Sequence, residues 1–157
     1  MKQAAIYLRV STDQQNYDRQ KKELLAYCKR NQLQVKYIFE EKESGRKDDR
    51  PEFQKLCTLS KEDIQVVVVW EISRLSRKAY MILKVAEDFA QKGISIYAFK
   101  ENLMTLDNNG NFDKFARLVL SVLANYAQDE LETFRERSLS GKKHKLLSGE
   151  MDYTFRP

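Results

Sequence analysis

Ile64-Gln65-Val66-Val67-Val68-Val69-Trp70 decides the fold class. Four consecutive valines make a strand apolar on both faces, and a strand buried on both faces belongs in the middle of a parallel sheet. Parallel neighbours need crossover connections, so helices should alternate with strands. Working back toward the N-terminus, residues 4–10 form another apolar run. A polar turn follows, then a helical pattern from about 15 to 30 with Leu24, Leu25, Tyr27 and Cys28 on its inner side, then a second strand at 35–39. Residues 40–50, Glu-Glu-Lys-Glu-Ser-Gly-Arg-Lys-Asp-Asp-Arg, contain nothing suited to burial and read as a mobile loop. Pro51 then opens a short helix carrying Phe53 and Leu56, as a first-position proline does. Working forward, a helix over 79–92 ends at Gly93, and 94–99 is a fourth strand. The class is α/β: a mostly parallel, four- to five-stranded sheet flanked by helices.

From Phe112 the period changes. Phe112, Phe115, Val119, Val122 and Tyr126 recur at intervals of three and four, which predicts one apolar stripe on a helix running to about Leu147. Such a helix is about 50 Å long, longer than a domain of this size is wide. Its second half, with Glu132, Arg135, Glu136, Arg137, Lys142, Lys143 and Lys145, is polar nearly all round. It reads as projecting to meet a partner subunit, DNA or both; a solvated tail is the plainer alternative. The chain thus divides into an α/β core at 1–110, the long helix at 111–148 as part of the same domain, and the start of a linker at 149–157.

The 157 residues suffice for one core. With 42% hydrophobic and 32% charged residues, the chain has the balance of a globular protein. No apolar stretch approaches the roughly 18 residues of a membrane span, and Met-Lys-Gln-Ala-Ala-Ile-Tyr is not a secretory leader, so the expected compartment is the cytoplasm. Cys28, Cys57 and His144 cannot supply the four ligands of a structural zinc site. The glycines Gly45, Gly93, Gly110, Gly141 and Gly149 form neither a Walker A loop nor a G-x-G-x-x-G turn. His144, in Lys-Lys-His-Lys, is no partner for a Ser-His-Asp triad. The net charge is +5, and all of the excess lies in residues 1–99, nineteen basic against fourteen acidic. A basic domain of this kind suits a polyanion, nucleic acid first.

Ligands of open α/β sheets bind beyond the carboxyl ends of the strands. Three segments should meet there: Arg9-Val10-Ser11-Thr12-Asp13-Gln14-Gln15 after the first strand, the 40–50 loop ending in Arg50 after the second, and Ser73-Arg74-Leu75-Ser76-Arg77 after the third. Together they place Arg9, Arg50, Arg74 and Arg77 around the single hydroxyl of Ser11. Gathered guanidiniums repel one another, and a phosphate reverses that sign because each planar fork matches two phosphate oxygens. Phosphoryl transfer depends mostly on positioning and charge neutralisation, which arginines can provide. They also favour the alkoxide of Ser11 without a histidine. Each piece has a plainer reading. Ser11-Thr12-Asp13-Gln14 fits a capping box in which Ser11 starts a helix; Arg50 suits a solvated loop; Arg74 and Arg77 suit a wet helix face. Glu40, Glu41, Glu43, Asp48 and Asp49 would chelate a metal only with partner carboxylates on the strand ends, and the sequence offers none there.

These motifs closely resemble the catalytic domain of the serine recombinases, the resolvase/invertase family of site-specific DNA recombinases. Tyr-Leu-Arg-Val-Ser-Thr-Asp-Gln-Gln (7–15) resembles the nucleophile motif, with Asp18 and Gln20 in register. Ser44-Gly45 and Asp49-Arg50-Pro51 resemble the active-site loop, and Ile72-Ser73-Arg74-Leu75-Ser76-Arg77 the paired-arginine motif. Ala127-Gln128-Asp129-Glu130 and Arg135-Glu136-Arg137 resemble parts of the long interface helix. The resemblance implies that Ser11 attacks a DNA phosphodiester and forms a 5′-phosphoserine link. Arg9, Arg74 and Arg77 would activate the phosphate, Arg50 would join from the loop, and Gln15, Gln20, Asp18 and Ser44 would support the pocket. Rejoining would then need neither ATP nor a metal or other cofactor. It further implies double-stranded DNA as substrate, with no small molecule and no membrane involved, and a homodimer that pairs into a homotetramer. Glu130, Arg135, Arg137, Lys142, Lys143 and Lys145 would serve the interface or DNA, and a DNA-binding region would follow the helix. Two positions depart from the pattern: Ser73 stands where an acidic residue commonly precedes the first arginine, leaving the general acid unassigned, and Leu131 stands where a basic residue often follows the helix glutamate. A binding module without chemistry and a metal-dependent nuclease on the acidic loop are the alternatives.

Overall fold

The computed structural model of the chain describes residues 1–10, 12–42 and 49–148, with Ala127, Gln128, Glu130, Leu131 and 145–148 described as backbone only. The element order is β1 (Lys2–Val10), α1 (Gln14–Arg30), β2 (Leu33–Lys42), α2 (Pro51–Cys57), β3 (Val66–Val69), α3 (Ile82–Gln91), β4 (Ser95–Ala98), β5 (Leu103–Met104) and α4 (Lys114–Ser148). Two 3-10 turns, Ile72–Leu75 and Ala79–Met81, join β3 to α3. The sheet order is β2-β1-β3-β4-β5, parallel except for the antiparallel pair β4–β5.

The valine run behaves as its composition demands. Val67 and Val69 face one core with α2, α3 and the start of α4; Val66 and Val68 face the other with α1. All four are buried, because β1 and β4 flank β3 and helices cover both faces. Gly93 ends α3 at φ +75, the left-handed cap conformation that glycine adopts without a side-chain clash. The two-residue β5 is too short to leave a period in the sequence; Asn102, at φ +50, turns the chain into it.

Three expectations are corrected here. Leu25 lies on the outer face of α1, whose buried positions are Tyr17, Gln20, Leu24 and Cys28. Strand β2 extends through Lys42, so Glu40 and Glu41 belong to the sheet and not to a loop. On α4, the positions docked on the body are Ala116 and Leu120, with Phe112 and Val119 packed beside them. The expected single stripe is thus divided: Phe115, Val122 and Tyr126 are exposed, together with Leu118. Ala116 is fully buried where the first turns of α4 contact α3 and the Ala79–Met81 turn. The carboxylate of Asp113 accepts from the Ala116 N–H (2.8 Å) and secures the helix start. Among the described residues no helix is long and apolar enough to cross a membrane.

Candidate active site

Strand order reverses between β1 and β3. From β1 the chain crosses through α1 on one face to β2; from β2 it crosses through α2 on the other face to β3. The two connections part at that point and leave a crevice outside the carboxyl ends of β1 and β3, where ligands of such sheets bind.

At the end of β1, side chains alternate between the faces. Tyr7 packs on the α2 side and Leu8 on the α1 side; Arg9, two residues beyond Tyr7 and half-buried, follows Tyr7. Across the ladder, Arg9 pairs in register with Glu41. Glu41 is 3% exposed. Its carboxylate accepts from the Tyr7 hydroxyl (3.3 Å) and from the N–H groups of Phe53 (2.9 Å) and Glu52 (3.4 Å) at the start of α2. A buried carboxylate is tolerable only with such donors, and the first turn of a helix presents N–H groups that need an acceptor. Burial pushes the Tyr7 phenol above its usual range, and the opposing pull of Arg50 does not cancel this, so the hydroxyl keeps its proton at neutral pH.

Arg50, at the cap of α2, is half-buried rather than solvated. Its guanidinium lies over the Phe53 ring at 3.8 Å. Nη1 and Nη2 donate to the Leu75 carbonyl (3.2 and 3.3 Å), and Nη2 also to the Arg74 carbonyl (3.2 Å). The segment after β2 is thereby tied to the segment after β3, as the convergence of strand ends requires.

The Ile72–Leu75 turn hangs on two buried side chains, Ile72 and Leu75, so that Ser73 is exposed and Arg74 half-buried between them. The Glu101 carboxylate accepts from the Ile72 N–H at 3.2 Å, from beyond β4. Glu71 pairs with Arg74 and with Lys100, each at 3.4 Å. Burial would raise the Glu71 carboxyl, but the Ser73 hydroxyl, Arg74 and Lys100 outweigh it and hold the group below the usual carboxylate value.

With this geometry in view, the likeness to known proteins is specific. Residues 4–151 match the family described as Resolvase, N terminal domain. The chain belongs to the resolvase family of serine recombinases. It is 31% identical over 143 residues to the transposon Tn917 resolvase of Enterococcus faecalis, covering 91% of this chain and 71% of that protein. To the serine recombinase gin of Escherichia phage Mu it is 31% identical over 137 residues, covering 86% of this chain and 62% of that protein. The N-terminal catalytic domain of TP901-1 integrase superposes with a TM-score of 0.65 at 28% identity, over 84% of this chain and 98% of that one.

In this resolvase chain, Arg9, Arg50 and Arg74 lie at the strand ends flanking the crevice, with Arg77 exposed just beyond. Ser11 and Ser44 lie outside the described residues. Helix α1 is capped by Asp13, whose carboxylate accepts from the Asn16 N–H (3.1 Å), so the capping duty considered for Ser11 belongs to Asp13. Of the supporting residues, Gln20 is buried on α1; Gln15 and Asp18 are exposed, and Asp18 accepts from Gln14 Nε2 at 2.9 Å. Arg135, Arg137, Lys142 and Lys143 are exposed on α4; Glu130 and Lys145 have no described side chain.

The sequence reading missed Tyr7, Glu41, Glu71 and Glu101. A signal existed for Glu41, since Tyr37, Phe39 and Glu41 alternate at period two on the α2 side, whereas Val35, before a register shift in the ladder, packs on the α1 side. The expectation that strand ends carry no carboxylate is corrected by Glu41, Glu71 and Glu101, but they are engaged with N–H groups and cations. Among the described residues no three His, Cys, Asp or Glu are grouped to hold a metal ion. Of the acidic segment considered for chelation, Glu40 is taken by Lys21 (2.8 Å) and the Tyr17 hydroxyl, and Glu43 and Asp48 lie outside the described residues.

The Lys21 and Tyr17 hydrogen bonds hold the Glu40 carboxyl below its usual value of 4.5. A group with a depressed folded pKa stabilises above its unfolded pKa and ceases to do so as pH falls through the folded one. We expect Lys21→Met to narrow the stability gap between pH 6 and pH 3, measured by urea melts at both pH values.

Proposed function

We propose that this resolvase domain catalyses DNA strand cleavage and rejoining by transesterification. The observation that carries the reading is the hold of Arg50 on the Arg74 and Leu75 carbonyls, which ties the arginine-bearing segments after β2 and β3 together beside the β1/β3 crevice. The Ser11 oxygen attacks phosphorus and loses its proton; the P–O3′ bond breaks, and the 3′ oxygen leaves and is protonated. The product is a 5′-phosphoserine ester and a free 3′-hydroxyl. Arg9, Arg74 and Arg77 take the charge that builds on the non-bridging oxygens. Each charge-assisted hydrogen bond contributes roughly 1.5–3 kcal/mol, so two or three lower the barrier substantially. Arg50 fixes the turn that carries Arg74. The ester conserves the bond energy, so a 3′-hydroxyl can reverse the step on a new partner strand without ATP or a metal ion.

The test is a duplex with a nick opposite the cleavage position, incubated in EDTA and resolved under denaturing conditions. The expected result is a protein–DNA adduct whose linked peptide contains Ser11. A wild-type protein that binds duplex but forms no adduct would leave a binding module, and cleavage lost in EDTA would point to the nuclease.

Strand exchange needs paired subunits, and the exposed Phe115, Leu118, Val122 and Tyr126 of α4 form an apolar face of the kind that marks an interface. We assign it to a homodimer that pairs into a homotetramer, with Arg135, Arg137, Lys142 and Lys143, and with Glu130 and Lys145, directed to the partner or to DNA. Val122 is 57% exposed, so Val122→Glu should change stability by no more than about 0.5 kcal/mol while lowering self-association at least about tenfold in sedimentation equilibrium.

A further inference from the structure

We infer that Glu71 is the positioning residue for Arg74, holding its guanidinium for the scissile phosphate in this chain; this rests on the transesterification reading above. Arg74 sits on a single 3-10 turn, a short element whose own hydrogen bonds cannot fix a long side chain. The turn is restrained from outside at both ends: Glu101 accepts from the Ile72 N–H at its start, and Arg50 donates to the Arg74 and Leu75 carbonyls at its end. Those contacts fix the backbone. The guanidinium is held separately, by the Glu71 carboxylate at 3.4 Å.

That carboxylate is itself held. Lys100, from beyond β4, reaches its other oxygen at 3.4 Å, and the Ser73 hydroxyl also hydrogen-bonds to it. Glu71 and Arg74 are only about a quarter exposed or less, at 24% and 20%, so the pair is partly shielded from solvent. The residue adjoining Arg74 is Ser73, which has no charge to offer; it contributes a hydroxyl to Glu71 instead. The acidic partner of Arg74 therefore comes from three residues upstream, at the end of β3, and is braced from the end of β4. A carboxylate on one edge of a guanidinium selects one rotamer, which spares the side chain from ordering itself when the phosphate arrives.

The experiment uses the full chain and two readouts. The first is the rate of adduct formation at saturating nicked duplex, with duplex affinity measured in parallel. The second is the ¹⁵N-detected side-chain signal of Arg74 without DNA, assigned with Arg74→Lys. In Glu71→Gln we expect the adduct rate to fall at least about tenfold, the size of one lost charge-assisted hydrogen bond in the transition state. Affinity should stay within about twofold, and the Arg74 signal should show faster guanidinium rotation. Glu71→Ala combined with Ser73→Asp, which restores a carboxylate beside Arg74, should recover most of the rate, whereas a merely structural role for Glu71 would not be rescued from the neighbouring position. An unchanged Arg74 signal and an unchanged rate in Glu71→Gln overturn the assignment, as does a Glu71→Ala defect that Ser73→Asp leaves in place. If the wild type forms no adduct, the transesterification reading fails, and the Arg74 signal alone still decides whether Glu71 holds that side chain.

Discussion

Replacing Ser11 by alanine is expected to abolish the covalent protein–DNA adduct while leaving duplex binding within about threefold of wild type. The nucleophile forms the bond being measured, so the loss has no partial form. Removing an active-site nucleophile elsewhere costs on the order of 10⁶-fold, below detection in a gel assay. Binding should survive because the arginines and the basic N-terminal two thirds supply the attraction to phosphate, and Ser11 carries no charge. Folding should survive as well. The start of α1 is capped by Asp13, so alanine at position 11 removes no helix cap. Thermal melting should shift by no more than about 2 °C, since 1 kcal/mol corresponds to roughly 2–4 °C in a domain of this size. The companion Asp13→Ala should show the opposite pattern, losing about 1 kcal/mol of stability with adduct formation retained below the melting point. A Ser11→Ala protein that still forms adduct would move the nucleophile to another residue.

How far the sequence carried the reading depends on the kind of signal. The four valines of β3 are legible because burial on both faces excludes every polar residue from the run. The crevice is legible for the same reason: once the sheet is parallel, the carboxyl ends of β1, β2 and β3 lie on one edge, with Arg9 at the end of β1 and Arg50 and Arg74 on the segments that leave β2 and β3. The α4 stripe shows where periodicity stops being informative. An apolar position facing the core and one awaiting a partner subunit look alike in sequence, and only the contact of Ala116 with the body reveals which is which. Glu41 was hidden for a different reason. A carboxylate reads as exposed unless its donors are known, and two of these donors are backbone N–H groups of α2, which no composition can show. Glu71 was masked by the motif itself, which places its acidic residue at the position of Ser73, two positions after this glutamate.

The second large effect is structural and centres on that buried carboxylate. Glu41→Ala is expected to destabilise the domain by about 3 kcal/mol, seen as a fall of roughly 6–12 °C in thermal melting. The substitution leaves the buried Tyr7 hydroxyl and the Phe53 and Glu52 N–H groups without their acceptor. An orphaned buried donor costs about 1–3 kcal/mol, and three of them do not add fully because solvent reaches part of the gap. Glu41→Gln keeps the shape and one carbonyl oxygen for Phe53, so it should cost about 1 kcal/mol. The ordering Ala worse than Gln, with a gap of about 2 kcal/mol, separates this account from that of a solvated loop residue, for which both variants stay within about 0.5 kcal/mol. The effect should reach the site as well. Glu41 fixes the first turn of α2, Arg50 caps that turn, and Arg50 in turn holds the carbonyls of Arg74 and Leu75. Assayed well below its melting point, Glu41→Ala should therefore lose adduct rate in excess of its unfolded fraction, and Phe53→Leu, which keeps the N–H and removes only the ring beneath Arg50, should lose less.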